Sequence, residues 1–232
     1  MQQKDISRPL IKLIKLRYSK SLRLSVSKSG EVKLTAPINI KTSEINKFLS
    51  IHNDWLNTVL ENLPISQKLT LKTGEKINIL DQTYTLELKV ISGIKPRCYL
   101  DSEQKLIYIF TNSPELDTLR LIKTQLIKLA RREISATLSE YAQKYQYQYN
   151  KVAIREQKSR WGSCSNKGNL NFNWKIILAP ISVYYYVITH ELAHLKQHNH
   201  STDFWNLVEV MQPDYRNDRK WLKNNSHLLE II

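Results

Sequence analysis

Two cysteines, five glycines and no long apolar run set the first limits on this chain of 232 residues. Cys98 and Cys164 are too few for a disulfide framework and do not form C-x-x-C, which points to a reducing compartment. Nowhere do eighteen apolar residues follow one another, so no membrane-spanning helix is expected. The basic N-terminus offers no signal-peptide core, because Ile11-Lys12-Leu13-Ile14-Lys15-Leu16 is interrupted by charge. A cytoplasmic protein with no membrane partner is the expectation. Also missing are a P-loop, an arginine-rich tract, internal repeats and low-complexity segments.

Acidic residues are in short supply as well, 21 against 35 basic, for a net charge of +14. Such a surplus suits a solvated surface or non-specific attraction to a polyanion, nucleic acid or nucleotide. Without a nucleic-acid-binding motif it identifies no sequence-reading module. A composition 41% hydrophobic and 24% charged is that of a globular protein, and the length allows one large domain or two small ones.

The apolar pattern predicts an α+β protein. Leu22, Leu24 and Val26 alternate with polar residues, as do Val32 and Leu34, and Ser27-Lys28-Ser29-Gly30 between them predicts a hairpin. Thr42 or Ser43 is positioned to cap one helix reaching about Leu60. Strand patterns return over 69–110, clearest from Thr83 to Val90 and from Leu106 to Phe110. Asn112-Ser113-Pro114 then opens a long helix from about Glu115 to Tyr145. The expected division is a β-rich N-terminal region with one helix, 1–112, followed by a helical catalytic domain with a small β-hairpin or sheet, 113–232.

The histidines are unevenly placed. Four of the six lie within residues 189–200, and His190, Glu191 and His194 form H-E-x-x-H. On a helix, positions i and i+4 share a face one turn apart, so two imidazoles can grip one metal ion. Glu191, beside the first ligand, can reach a water on the metal without binding the metal itself. Pro180 and Ser182 start this helix, with Ser182 as N-cap.

A catalytic zinc needs a third protein ligand and an open position. His198 continues the i, i+4 series, yet a continuous helix would set it about 12 Å along the axis from His190. The helix must therefore break first, and Asn199, tolerant of left-handed backbone, is the expected break, leaving His200 as the preferred third ligand. Glu209 on the following helix is the rival. The H-E-x-x-H-x-x-x-x-x-H spacing equals that of the metzincin signature, with Gln197 where that motif has glycine.

Upstream, Val152 to Ile154 reads as a short strand and Leu170 to Ile177 as a returning one, with Lys167-Gly168-Asn169 as the turn. A hairpin here is placed to wall a substrate cleft, and an extended substrate can pair with its edge. Arg160 and Ser163 are candidate substrate contacts; Tyr215 is another. Trp161 and Trp174 are expected in the core, and Cys164 as an unreactive thiol. Candidate oxyanion stabilisers are Arg160, Tyr215, Tyr184, Tyr185 and Tyr186.

Taken together, Arg160-Trp161-Gly162-Ser163-Cys164-Ser165, Gly168-Asn169-Leu170-Asn171, His190-Glu191-Leu192-Ala193-His194-Leu195, Asn199-His200-Ser201 and Phe204-Trp205 resemble the YgjP-like family of zinc metallopeptidases, metallohydrolases related to the WLM and SprT groups. The resemblance covers most of the chain and is most specific from Val152 to Trp221. It implies a zincin-like catalytic domain, one Zn2+ per chain on His190, His194 and His200, and Glu191 as general base. Family labels are divided between peptidase and nucleotide pyrophosphohydrolase. The expected function is zinc-dependent hydrolysis of a peptide or protein. The alternatives are a metal-dependent pyrophosphohydrolase, splitting for example UTP to UMP and pyrophosphate, and a non-catalytic, zinc-stabilised nucleic-acid-binding module.

Overall fold

The protein is described from a computed structural model over residues 11–26, 31–61, 69–112, 118–157 and 160–231. It forms two compact units, Met1–Ser66 and Gln67–Ile232.

The first unit holds strands β1 (Ile11–Leu16), β2 (Arg23–Val26) and β3 (Val32–Pro37) in the order β1-β3-β2. The expected hairpin is present, with Arg23 opposite Thr35 and Val26 opposite Val32; its turn, 27–30, lies outside the described residues. Val32, Leu34 and Ala36 alternate inward with a period of two and are buried. The single helix expected over 42–60 is two, α1 (Thr42–Ile51) and α2 (Asn53–Glu61). His52 makes the break: it closes α1, its ring stacks on Phe48 at 4.1 Å, and its Nδ1 lies 2.9 Å from the Phe48 carbonyl. Neither Thr42 nor Ser43 is the cap, since α1 begins after an extended Lys41 without a side-chain bond.

The second unit begins with a four-stranded sheet of β4 (Lys76–Ile79), β5 (Gln82–Val90), β6 (Arg97–Asp101) and β7 (Leu106–Thr111), ordered β4-β5-β7-β6. Only the β5–β7 pair is parallel. The long helix α3 (Thr118–Lys144) shares one core with this sheet, Ile122, Leu126 and Ile134 joining Leu86, Ile107 and Ile109. That core continues into Phe172, Ile188, Leu192 and Phe204. The sheet therefore buries its inner face on the helical part, within the compact unit Gln67–Ile232. The opening of α3 expected at 113–115 lies outside the described residues.

A third sheet comprises β8 (Lys151–Arg155), β9 (Gly162–Cys164) and β10 (Asn169–Asn173) in the order β8-β10-β9. The β9–β10 hairpin turns at Gly168, whose φ of +71° suits glycine. The returning strand stops at Asn173 rather than Ile177, because the Asn173 side chain accepts the Lys175 N–H and starts a 3-10 turn over Trp174–Leu178. Trp174 is fully buried and Trp161 packs against the same core.

Three α-helices, α4 (Ile181–Ala193), α5 (Thr202–Met211) and α6 (Tyr215–Asn225), and a 3-10 turn over Ser226–Leu229 follow. Helix α4 is buried through Val183, Tyr184, Val187, Ile188 and Leu192, each large apolar side chain contributing about 1.5–3 kcal/mol. Ser182 does not cap it. The first turn instead receives the Asp81 carboxylate from the β4–β5 turn, which accepts the Ile181 N–H at 3.1 Å. A residue one hundred positions upstream thus supplies the helix with its N-terminal anion. Among the described residues, no helix is long and apolar enough to cross a membrane.

Candidate metal centre

Helix α4 delivers His190 and His194 on one face, their rings 4.9 Å apart. The helix ends at Ala193, with His194 as its cap, earlier than Asn199. The chain turns through backbone bonds from Leu195 N–H to the Leu192 carbonyl and from Gln197 N–H to the Ala193 carbonyl. Asn199 does not take the left-handed conformation; its side chain accepts the Ser201 N–H at 3.3 Å, and Ser201 caps α5. His200 is thereby fixed on the first residues leading into α5.

The result is a convergence of three imidazoles. His190, His194 and His200 each offer a ring nitrogen, all within 4.8 Å of one another. The His190 and His200 Nε2 atoms are 3.2 Å apart. Two nitrogens bound to one tetrahedral zinc at about 2.05 Å would be separated by about 3.3 Å. Glu209 stands apart: its carboxylate is engaged by Arg216 at 2.6 Å. His198 is exposed and outside the cluster.

Each ring is also held from behind. The Gln197 carbonyl lies 3.0 Å from His194 Nδ1. A carbonyl only accepts, so that nitrogen carries the hydrogen and Nε2 keeps its lone pair for a ligand. The Tyr186 hydroxyl lies 3.4 Å from His190 Nδ1. Phe204 packs against all three rings, with centroids 4.5–4.9 Å away, and Trp205 stacks on His200 at 5.6 Å. Burial, then repulsion from His194, His200 and Arg219, presses the His190 pKa down to about 3; burial lowers His194 too. Neutral imidazoles are what a metal ligand requires.

Glu191 occupies the opposite wall. It is only 5% exposed, and burial raises its carboxyl to about 8, opposed by the positive charge of Arg160. Among the described residues, its buried Oε2 has no hydrogen-bond partner. Its other flank touches β9 so closely that a Cβ on Gly162 would lie 2.5 Å from Oε1. A buried, orphaned carboxyl oxygen beside three convergent imidazoles suits a site completed by a cation and a water.

Of the remaining candidates, Arg160 is exposed and close enough for its charge to act on Glu191. Ser163 lies on β9, its hydroxyl accepting from Asn171 Nδ2 at 3.2 Å. Tyr215 is buried, stacked flat on Trp205 at 5.2 Å. Two proposed oxyanion stabilisers face elsewhere: the Tyr184 hydroxyl donates to Thr137 on α3, and Tyr185 stacks on Tyr141. Only Tyr186 of that trio reaches the cluster. Burial, with Glu191 nearby, pushes the Cys164 thiol up to about 11, which leaves it un-ionised and unreactive. Met211 is core. Sequence reasoning missed the Gln197 carbonyl, which no side-chain pattern announces, and took Tyr186 for an oxyanion stabiliser rather than the partner of His190 that its i−4 spacing allows.

Residues 20–225 match the family described as "YgjP-like, metallopeptidase domain". No curated protein matches the chain. Among solved structures it is similar to the metallopeptidase zymogen of Pyrococcus abyssi abylysin, with 25% identity, coverage of 40% of this chain and 95% of that one, and a TM-score of 0.37.

Proposed function

The chain belongs to the YgjP-like metallopeptidase family, and we propose that it is a zinc-dependent peptidase with His190, His194 and His200 as metal ligands and Glu191 as general base. The observation that carries this reading is the buried Glu191 Oε2, with no partner among the described residues, set beside three convergent imidazoles.

Zinc, when bound there, supplies a Lewis acid for the scissile carbonyl and lowers the pKa of water. The rest is done by side chains of this chain. Glu191 takes the proton of the attacking water and passes it to the leaving amine. Burial alone would keep the carboxyl protonated near neutrality, and the charges of Arg160 and of the bound cation draw it back toward the range of a working base. Gln197 and Tyr186 hold His194 and His190 in register. Strand β9 is an edge strand of its sheet, and Gly162 brings it against Glu191. An extended peptide adding to that edge would run past the base, with Ser163 and Arg160 beside it. Tyr215 and Trp205 form a further wall.

A nucleoside triphosphate pyrophosphohydrolase is the second reading, favoured by the cations of α6. A purely structural zinc module has no use for a buried, unpartnered carboxylate, which argues against a nucleic-acid-binding protein without turnover.

The test is Glu191→Gln in zinc-loaded protein. Metal analysis should find one zinc per chain in both forms, while casein hydrolysis falls by about 10²–10⁴-fold. Hydrolysis at the wild-type rate would remove Glu191 from the mechanism. Parallel incubation with the four nucleoside triphosphates, with and without chelator, separates the two substrate classes.

A further inference from the structure

Helix α6 concentrates charge on one side. Arg216, Arg219, Lys220 and Lys223 follow the i, i+3, i+4, i+7 spacing of a single helix face, where like charges repel rather than support the helix. They are all exposed, and together with Trp205 and Tyr215 they line a cavity of about 370 Å³. Arg216 is committed to Glu209 at 2.6 Å. Among the described residues, no carboxylate pairs with Arg219, Lys220 or Lys223. The helix's own acid, Asp218, is turned inward and buried, and accepts from Gln212 Nε2 at 2.9 Å.

The cavity adjoins the metal centre through one shared aromatic. The Arg219 guanidinium lies 4.6 Å from the Trp205 ring centroid, and the same ring lies 5.6 Å from that of His200. An extended peptide, rising about 3.3 Å per residue, crosses those two steps in about three residues. A guanidinium stacked on an indole keeps its N–H fork free in its own plane, the geometry that grips a planar oxyanion bidentately. The two lysines add mobile point charges around it.

We propose that this cavity is an oxyanion subsite of the active centre, in which Arg219, Lys220 and Lys223 hold a carboxylate of an acidic peptide about three residues from the scissile bond. The proposal rests on the metallopeptidase reading above. A phosphate of a nucleotide has the same oxyanion chemistry, and the experiment separates the two.

Two peptides identical except for glutamate or glutamine at the third residue on either side of the cleaved bond are compared with zinc-loaded protein. The acidic peptide should have a kcat/KM higher by about tenfold, each unpaired cation contributing a factor of up to about five. The preference should fall to near unity in Lys220→Gln/Lys223→Gln and reverse toward a lysine peptide in Lys220→Glu/Lys223→Glu. Both lysines are exposed, so these variants leave the core untouched. Equal rates for the two peptides in the wild type, or an unchanged preference in the glutamine variant, would overturn the proposal.

A binding measurement keeps the two readings apart. Fluorescence anisotropy of the labelled acidic peptide, and of labelled UTP, is followed on zinc-loaded Glu191→Gln with and without the lysine substitutions. Lysine-dependent binding of the peptide without any cleavage by the wild type would sink the peptidase reading and leave the subsite standing. Lysine-dependent binding of UTP alone would assign the oxyanion to phosphate and overturn the carboxylate.

Discussion

Gly162 and Glu191 are in van der Waals contact across the candidate centre, and the contact has no room for a methyl group: a Cβ on Gly162 would fall 2.5–2.7 Å from the Glu191 Oε1, Cγ and Cδ. Gly162 is not at a positive φ, so its role is steric rather than conformational.

Gly162→Ala should therefore fold, since the clash is with side-chain atoms alone, while moving the proposed general base. A displacement approaching 1 Å at a reacting group costs about 10²-fold in rate. Peptidase kinetics should show kcat reduced by about ten- to a hundredfold with zinc content unchanged. Undiminished kcat would mean that Glu191 acts from another position.

The two candidates for third ligand give opposite outcomes. His200→Ala should lose stoichiometric zinc, measured by metal analysis after dialysis against a weak chelator, because two imidazoles remain. Glu209→Gln should keep it, because Glu209 is occupied with Arg216. The reverse pattern would transfer the third position to Glu209.

Proton linkage offers a check that does not depend on turnover. Burial holds Glu191 up at about 8 against an ordinary value of 4.5. Between those values the unfolded chain releases a proton that the folded metal-free protein retains, so stability falls as pH rises through that window. His190 works at the other end: burial presses it from 6.5 to about 3, so the unfolded chain takes up a proton first and stability falls as pH drops below about 6.5. Urea midpoints of chelator-treated protein should decline from about pH 6.5 to about pH 8, and Glu191→Gln should remove that decline while keeping the acid limb. Identical alkaline slopes in the two proteins would contradict the burial of the carboxyl.

Asp81→Ala should cost about 1 kcal/mol of stability, as loss of a helix cap does. Denaturant unfolding measures it, and the zinc-loaded variant should retain wild-type kcat below its unfolding transition. A loss no larger than that of Ser182→Ala would return the capping role to Ser182.

Local patterns carried much of this in advance. The alternation in 83–90 and 106–110 marked β5 and β7, and Ser27-Lys28-Ser29-Gly30 marked the hairpin of β2 and β3. The departures come where a partner distant in sequence, or a bare backbone group, outweighs the local residue. Asp81 replaces Ser182 at the head of α4, and the Asn173 side chain diverts a strand into a 3-10 turn. Helix α4 ends at His194 through backbone bonds, which no residue type signals, rather than at Asn199. The sheet over 76–111 reads as N-terminal by order along the chain, yet its inner face is buried by α3.

What the sequence by itself determined was the pair His190 and His194 with Glu191 between them. Helical periodicity alone puts residues four apart on one face, and the preference for His200 followed from the reach that a straight helix denies to His198. Only the tertiary structure decided where His200 lands, that Glu191 is buried with no partner among the described residues, and that Arg219, Lys220 and Lys223, unpaired among those residues, line a cavity with Trp205 beside the site. Those facts depend on contacts between segments separated by long stretches of chain. Packing sets such contacts, and no periodicity encodes them.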